Sequence, residues 1–67
     1  MTIVLNGEPV DCPDGQSIGA LVDRLRPGGR RGVAVAIDGV VIRRADWDTT
    51  RIDDGAHVEL VGAVQGG

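Results

Sequence analysis

Apolar residues recur at every second position near both ends of the chain and at every third or fourth position between them. Met1 to Leu5 is short and β-branched-rich, and its alternation puts Ile3 and Leu5 on one side of a strand and Thr2 and Val4 on the other. Asn6-Gly7 follows. Both central positions of a type I′ turn need φ > 0, so this pair predicts a hairpin, with Glu8 to Asp11 as the returning strand. Pro9 removes one backbone donor from that strand and marks it as an edge.

Cys12-Pro13-Asp14-Gly15 is turn chemistry, and Ser17 is a good N-cap for a helix. Ile18, Leu21, Val22 and Leu25 then form the i, i+3, i+4, i+7 stripe of an amphipathic helix. Pro27-Gly28-Gly29 stops it after little more than two turns, too short to stand without a sheet behind it. Gly19 in its first turn costs about 1 kcal/mol relative to Ala, which points to close backbone approach to a strand. Arg30-Arg31 reads as a solvated loop.

The alternation returns in Val33 to Ile37, with Val33, Val35 and Ile37 toward the core and Ala34 and Ala36 on the opposite face. Asp38-Gly39 predicts a second type I′ turn, and Val40 to Ile42 the returning strand. The chain leaves the sheet at Arg43, and Trp47 is expected to plug one end of the core with its indole N–H hydrogen-bonded. Ile52 adds an apolar anchor before the turn Asp53-Asp54-Gly55. His57 to Val61 is the last strand, with Val58 and Leu60 inward and His57, Glu59 and Val61 outward.

The predicted order is hairpin, helix, then two or three strands. This is an α+β arrangement: a mixed sheet of four to five strands with one short helix on one face. It fits the β-grasp architecture, in which the first and last strands run parallel in the middle of the sheet. The domain is expected over residues 1–62, with 63–67 as a flexible C-terminal tail.

Composition narrows the function. Sixty-seven residues make one domain near the lower size limit for an unstapled core, and one cysteine forbids an internal disulfide. No Cys/His spacing suits zinc, so no metal is expected. The net charge is −3 with a single aromatic residue, which argues against nucleic-acid binding. No apolar run approaches a membrane span and no N-terminal signal is evident, so the expected location is the cytoplasm.

Individual side chains offer little chemistry. His57 has a suitable pKa range for a base or ligand but no neighbouring Cys, and Glu59 is more simply an ion-pair partner on the same strand face. Cys12 precedes Pro13 with no sequence-local base to activate it, and so reads as a loop thiol. Pro27-Gly28-Gly29 follows a helix, whereas a phosphate cradle opens one.

The ending Ala63-Val64-Gln65-Gly66-Gly67 stands out. Two terminal glycines make a thin arm able to thread a channel that larger residues would block. Its carboxylate becomes reactive only after activation. ATP can convert it to an acyl-adenylate, and a sulfur donor can then replace AMP and leave a thiocarboxylate. Nothing in the chain binds ATP, so another protein must supply the activation. The competing reading is a β-grasp interaction module with a frayed end.

The chain resembles the small sulfur-carrier proteins of thiamine biosynthesis, the ThiS family, over essentially its whole length. The resemblance rests on the opening strand with Asn6-Gly7 and on Val33-Ala34-Val35-Ala36 leading to Asp38-Gly39. It continues through Arg44-Ala45-Asp46-Trp47 and Gly55-Ala56-His57-Val58-Glu59-Leu60-Val61 to the Gly66-Gly67 ending. Two departures stand out: Asp38 replaces the usual Asn, and Ala56 replaces an Asp whose side-chain-to-backbone bond is then expected to be missing.

The resemblance implies a ubiquitin-like β-grasp fold and adenylation of Gly67 by an E1-like adenylyltransferase that uses ATP, with no cofactor bound by the chain itself. A sulfur donor protein and thiazole synthase would be the further partners, and the chain would be a co-substrate, not an enzyme. Val64, Gln65 and Gly66 would thread the partners' active sites. The helix-free face, with Val4, Ala34, Ala36, His57, Glu59 and Val61, is the expected partner surface. The small subunit of molybdopterin synthase shares the fold and the ending, and a carrier for another metabolite remains open.

Overall fold

The computed structural model describes residues 1–62. Five strands, β1 (Thr2–Leu5), β2 (Glu8–Asp11), β3 (Val33–Ile37), β4 (Val40–Ile42) and β5 (His57–Gly62), form one sheet in the order β2-β1-β5-β3-β4. A single helix, α1 (Ile18–Leu25), connects the two hairpins, and a 3₁₀ turn spans Arg44–Asp46. The first and last strands lie parallel at the centre, Val4 beside His57 and Leu5 beside Val58. Every other pairing is antiparallel. This is the expected β-grasp topology.

Turn chemistry sets both hairpins. Asn6 and Gly7 have φ of 50° and 85°, and Asp38 and Gly39 have 48° and 84°. Asp38 thus takes the left-handed conformation that the turn demands, since its short side chain tolerates φ > 0.

Helix α1 is stabilised at its start by groups outside it. Ser17 Oγ accepts from Ala20 N–H (3.1 Å), while Ile18 and Gly19 donate to the carbonyls of Thr50 and Trp47, both at 3.0 Å. Three N–H groups that no helical turn can satisfy are therefore paired. Gly19 does mark a close approach, but to the loop after the 3₁₀ turn and not to a strand. A Cβ there would meet the carboxylate of Asp48 and the guanidinium of Arg30 (2.7 Å to Nη2).

Ile3, Ile18, Leu21 and Val22 are completely buried, and Val35, Trp47, Ile52 and Val58 nearly so. Leu25 departs from the predicted stripe. It sits at the helix's last residue and is 39% exposed, because the chain turns away at the Arg26 cap. Trp47 closes the core as expected, its indole N–H donating to the Ile42 carbonyl at 2.9 Å.

Arg30 is not the solvated residue that its loop suggests. Its guanidinium makes two-pronged bonds to Asp23 (2.9 and 3.0 Å) and to Asp48 (3.1 and 2.8 Å). It also lies 5.9 Å from the Trp47 ring centroid, with Arg44 at 5.8 Å. Helix, loop and core plug are thereby tied at one point. The Arg30 hydrogen bonds hold the Asp23 and Asp48 carboxyls below their ordinary value of 3.8.

Lowered folded-state values mean that this stabilisation is complete above that ordinary value and fades as pH falls through the lowered ones. Arg30→Gln should therefore lose stability at neutral pH and decline less steeply on acidification than the parent. Urea midpoints between neutrality and about pH 3 measure the difference. Parallel acid limbs in the two proteins would show that the clamp contributes nothing.

Candidate functional site

Strand β5 carries the chain from the sheet centre toward residues 63–67, so what fixes β5 fixes the root of the tail. Two turn residues do so from opposite ends. The Asn6 side chain behaves like an extra strand residue: its Oδ1 accepts from Leu60 N–H (2.9 Å) and its Nδ2 donates to the Leu60 carbonyl (3.1 Å). Asp38 Oδ1 accepts from His57 N–H (3.0 Å), while Asp38 N–H donates to the His57 carbonyl (2.8 Å). The residues that make the hairpin turns thus also anchor the last strand. A short polar side chain at φ > 0 serves both.

Ala56 is held through its backbone and needs no side-chain bond. Its N–H donates to Asp53 (3.1 Å), its carbonyl accepts from Val4 (2.9 Å), and its methyl is buried.

The helix-free face gathers the residues expected there. Cross-strand partners project to the same side of a sheet. Val4 pairs with His57, Ala34 with Val61, and Ala36 with both Glu59 and Val41. Val61 and Val41 are 62% and 74% exposed, large values for valine. The two alanines between them keep the surface low. Glu59 stands where two open hollows meet, one bounded by Val4, Asp38 and His57 and the other by Ala34, Ala36, Val41 and Val61.

Val41 joins this face beyond the six residues expected there: the Asp38-Gly39 turn and period-2 alternation place it opposite Ala36. Sequence reasoning missed the amide bridge from Asn6 to Leu60. It spans most of the chain's length, and no local pattern signals it.

The remaining candidates do not assemble into a reactive group. His57 is exposed on the helix-free face, whereas Cys12 is buried beneath the sheet's other side. Among the described residues no three His, Cys, Asp or Glu side chains gather as a metal would require, and no helix is long and apolar enough to cross a membrane. Val64, Gln65, Gly66 and Gly67 lie outside the described residues.

A family model matches residues 3–67, and its description is the ThiS family. The chain belongs to the ThiS family. The match runs through Gly66 and Gly67, so it covers the ending as well as the folded domain. Two solved structures agree. The chain is similar to the crystal structure of thiamine biosynthesis protein ThiS from Geobacter metallireducens, with 30% identity, full coverage of both chains and a TM-score of 0.80. It is also similar to an NMR solution structure of a thiamine biosynthesis protein from the same organism, at 30% identity and a TM-score of 0.82. That alignment covers all of this chain and 88% of the other. No curated protein matches.

Membership in the ThiS family supports the role of a sulfur carrier in thiamine biosynthesis. It also implies interaction with sulfur-transfer enzymes of that route.

Proposed function

We propose that this ThiS-family chain carries sulfur on the carboxylate of Gly67 and is itself a co-substrate, the catalysts being its partners. The observation that carries the reading is the family match extending through Gly67, behind a strand anchored at the sheet centre.

The chemistry follows from the electrophilicity of the group. A carboxylate resists nucleophiles because of its charge and resonance. An E1-like adenylyltransferase joins it to the α-phosphorus of ATP, releasing pyrophosphate and leaving a glycyl-adenylate. Hydrosulfide released from a donor protein then attacks the acyl carbon, AMP departs with the C–O electron pair, and a thiocarboxylate remains. Thiazole synthase receives that sulfur, and an oxygen from water takes its place on the acyl carbon, which restores the Gly67 carboxylate. The folded domain provides recognition, and Val64, Gln65 and Gly66 span the distance to each buried reaction centre.

The test is an intact-mass measurement. The chain is incubated with ATP, a sulfur source and the cognate adenylyltransferase. Exchange of one oxygen for sulfur is the expected result, and an unchanged mass with an active partner would refute the carrier role.

The helix-free face is the proposed docking surface for the activating enzyme. Ala36 lies at its middle, between Glu59 and Val41, and faces away from the core. Ala36→Arg should raise KM for the carrier about tenfold or more, the cost of about 1.4 kcal/mol expected when a central interface position is blocked. Its melting temperature should stay near that of the parent. An unchanged KM would move the docking surface elsewhere.

A further inference from the structure

The charges of this acidic chain are sorted along the sheet. Its seven basic side chains are all arginine, and six of them lie between Arg24 and Arg44. Several of these gather where β5 ends. The Arg26 guanidinium covers Gly62, with Cζ 2.5 Å and Nη1 2.7 Å from where a Cβ would stand. Val33, the cross-strand partner of Gly62, donates its N–H to the Arg30 carbonyl (3.2 Å), and that carbonyl also accepts from Arg44 Nη2 (3.3 Å). Arg31 follows directly and is exposed.

Arg30 is neutralised by Asp23 and Asp48, and Arg43 pairs with Asp46 at 3.3 Å. Arg26 and Arg31 have no carboxylate partner among the described residues. The opposite pole carries more acid than base. Asp11 and Asp54 both bond Thr2 at the start of β1, Asp53 lies next to Asp54, and Asp38 bonds His57 at the start of β5. Asp14 there pairs with the Met1 ammonium, and Arg51 bonds the Gly15 carbonyl.

We infer that Arg26 and Arg31 form a basic collar at the root of the tail that recognises an acidic protein rim around the channel receiving it. The inference rests on the carrier reading for its partner. A protein rim fits better than a nucleic acid, because a chain of net charge −3 whose arginines are partly paired gives a weak phosphate footprint. The acidic pole would also be repelled by a polyanion lying along the molecule. Against a localised acidic rim the same polarity becomes useful, since it turns the tail end inward and the acidic end away. Charges at an interface rim act mainly on association rate and its salt dependence.

The experiment measures association of the full chain with the cognate E1-like adenylyltransferase by stopped flow at low and high salt. Arg26→Gln combined with Arg31→Gln should slow association about fivefold at low ionic strength, and the deficit should vanish near 0.5 M salt, where the screening length is about 4 Å. Arg26→Lys with Arg31→Lys should restore the rate. Asp53→Asn, at the acidic pole, should leave it unchanged or faster.

Equal rates for parent and Gln variant at low salt would overturn the collar. So would a deficit that persists at high salt, because packing on Gly62 would then be its cause. The Gly67 mass exchange is read separately in the same samples. A salt-sensitive rate without exchange refutes the carrier reading alone, and exchange without salt sensitivity refutes the collar alone.

Discussion

Trp47→Ala should leave the domain largely unfolded at room temperature. Trp47 is 1% exposed, and its ring contributes the largest of the fully buried side chains. Truncating a buried Trp costs about 3–5 kcal/mol through lost transfer energy and the cavity left behind. A single core in so short a chain supplies roughly 3–5 kcal/mol of stability. The loss therefore removes most of the margin.

Two further effects add to it. The Ile42 carbonyl loses its 2.9 Å bond from the indole N–H. Arg30 and Arg44 lose the ring that both lie against. Trp47→Phe separates the contributions, because it keeps much of the volume and forfeits the hydrogen bond, at about 1–3 kcal/mol for an unsatisfied buried acceptor. Far-UV circular dichroism with urea is the measurement, since Trp47 is the only aromatic residue and its removal abolishes the fluorescence signal. A cooperative transition for the Ala variant within about 1 kcal/mol of the parent would show that the ring is not the core's keystone.

The fold was legible wherever local rules carry it. Asn6-Gly7 and Asp38-Gly39 demand positive φ, which fixes two hairpins without knowledge of anything distant. Ile18, Leu21 and Val22 declare a buried helical face, and Ser17 its start. With both hairpins and the intervening helix in hand, few topologies remain.

What was not legible depends on pairing across the sequence. Arg30 reads as solvated because its partners, Asp23 and Asp48, are 7 and 18 residues away, and nothing local selects them from among the other carboxylates. Gly19 shows that a backbone approaches, but only the three-dimensional structure identifies the Trp47-Asp48 segment as what approaches it. The face around Ala36 was recoverable from alternation and register. Its sixth neighbour, Val41, required the hairpin register to be carried one strand further.

The candidate site divides the same way. The ending is recognisable from residue types, since glycine's conformational freedom is written in the sequence. The support for it is not. Asn6 and Asp38 each serve as a turn residue and as a clamp on β5, and the second role appears only when Leu60 and His57 arrive beside them.

This separation of folded support from reactive ending sets up the second large effect. Deleting Gly67 should abolish sulfur loading while leaving thermal stability within about 1 °C of the parent. The expected stability follows from the described core, which is complete within residues 1–62: Ile3, Ile18, Leu21, Val22, Val35, Trp47, Ile52 and Val58 supply its most buried side chains. β5 itself is held by β1, β3, Asn6 and Asp38.

The expected loss of loading follows from geometry at the acyl carbon. Removing one residue withdraws the carboxylate by up to about 3.5 Å along an extended chain, and reacting atoms must come within about 3–3.5 Å in an aligned pose. The truncated chain would end on Gly66, which keeps the same chemical group but not its reach. Loading should fall by at least about 100-fold, a size that a 1 Å misplacement can already produce. Gly67→Ala keeps the reach and adds a methyl group, so it tests channel width separately.

Intact mass before and after incubation with ATP, a sulfur source and the adenylyltransferase reads both variants, with calorimetry as the control for folding. Normal sulfur gain by the Gly67-deleted chain would overturn the carrier mechanism, since the reacting carbonyl would then not be the one on Gly67.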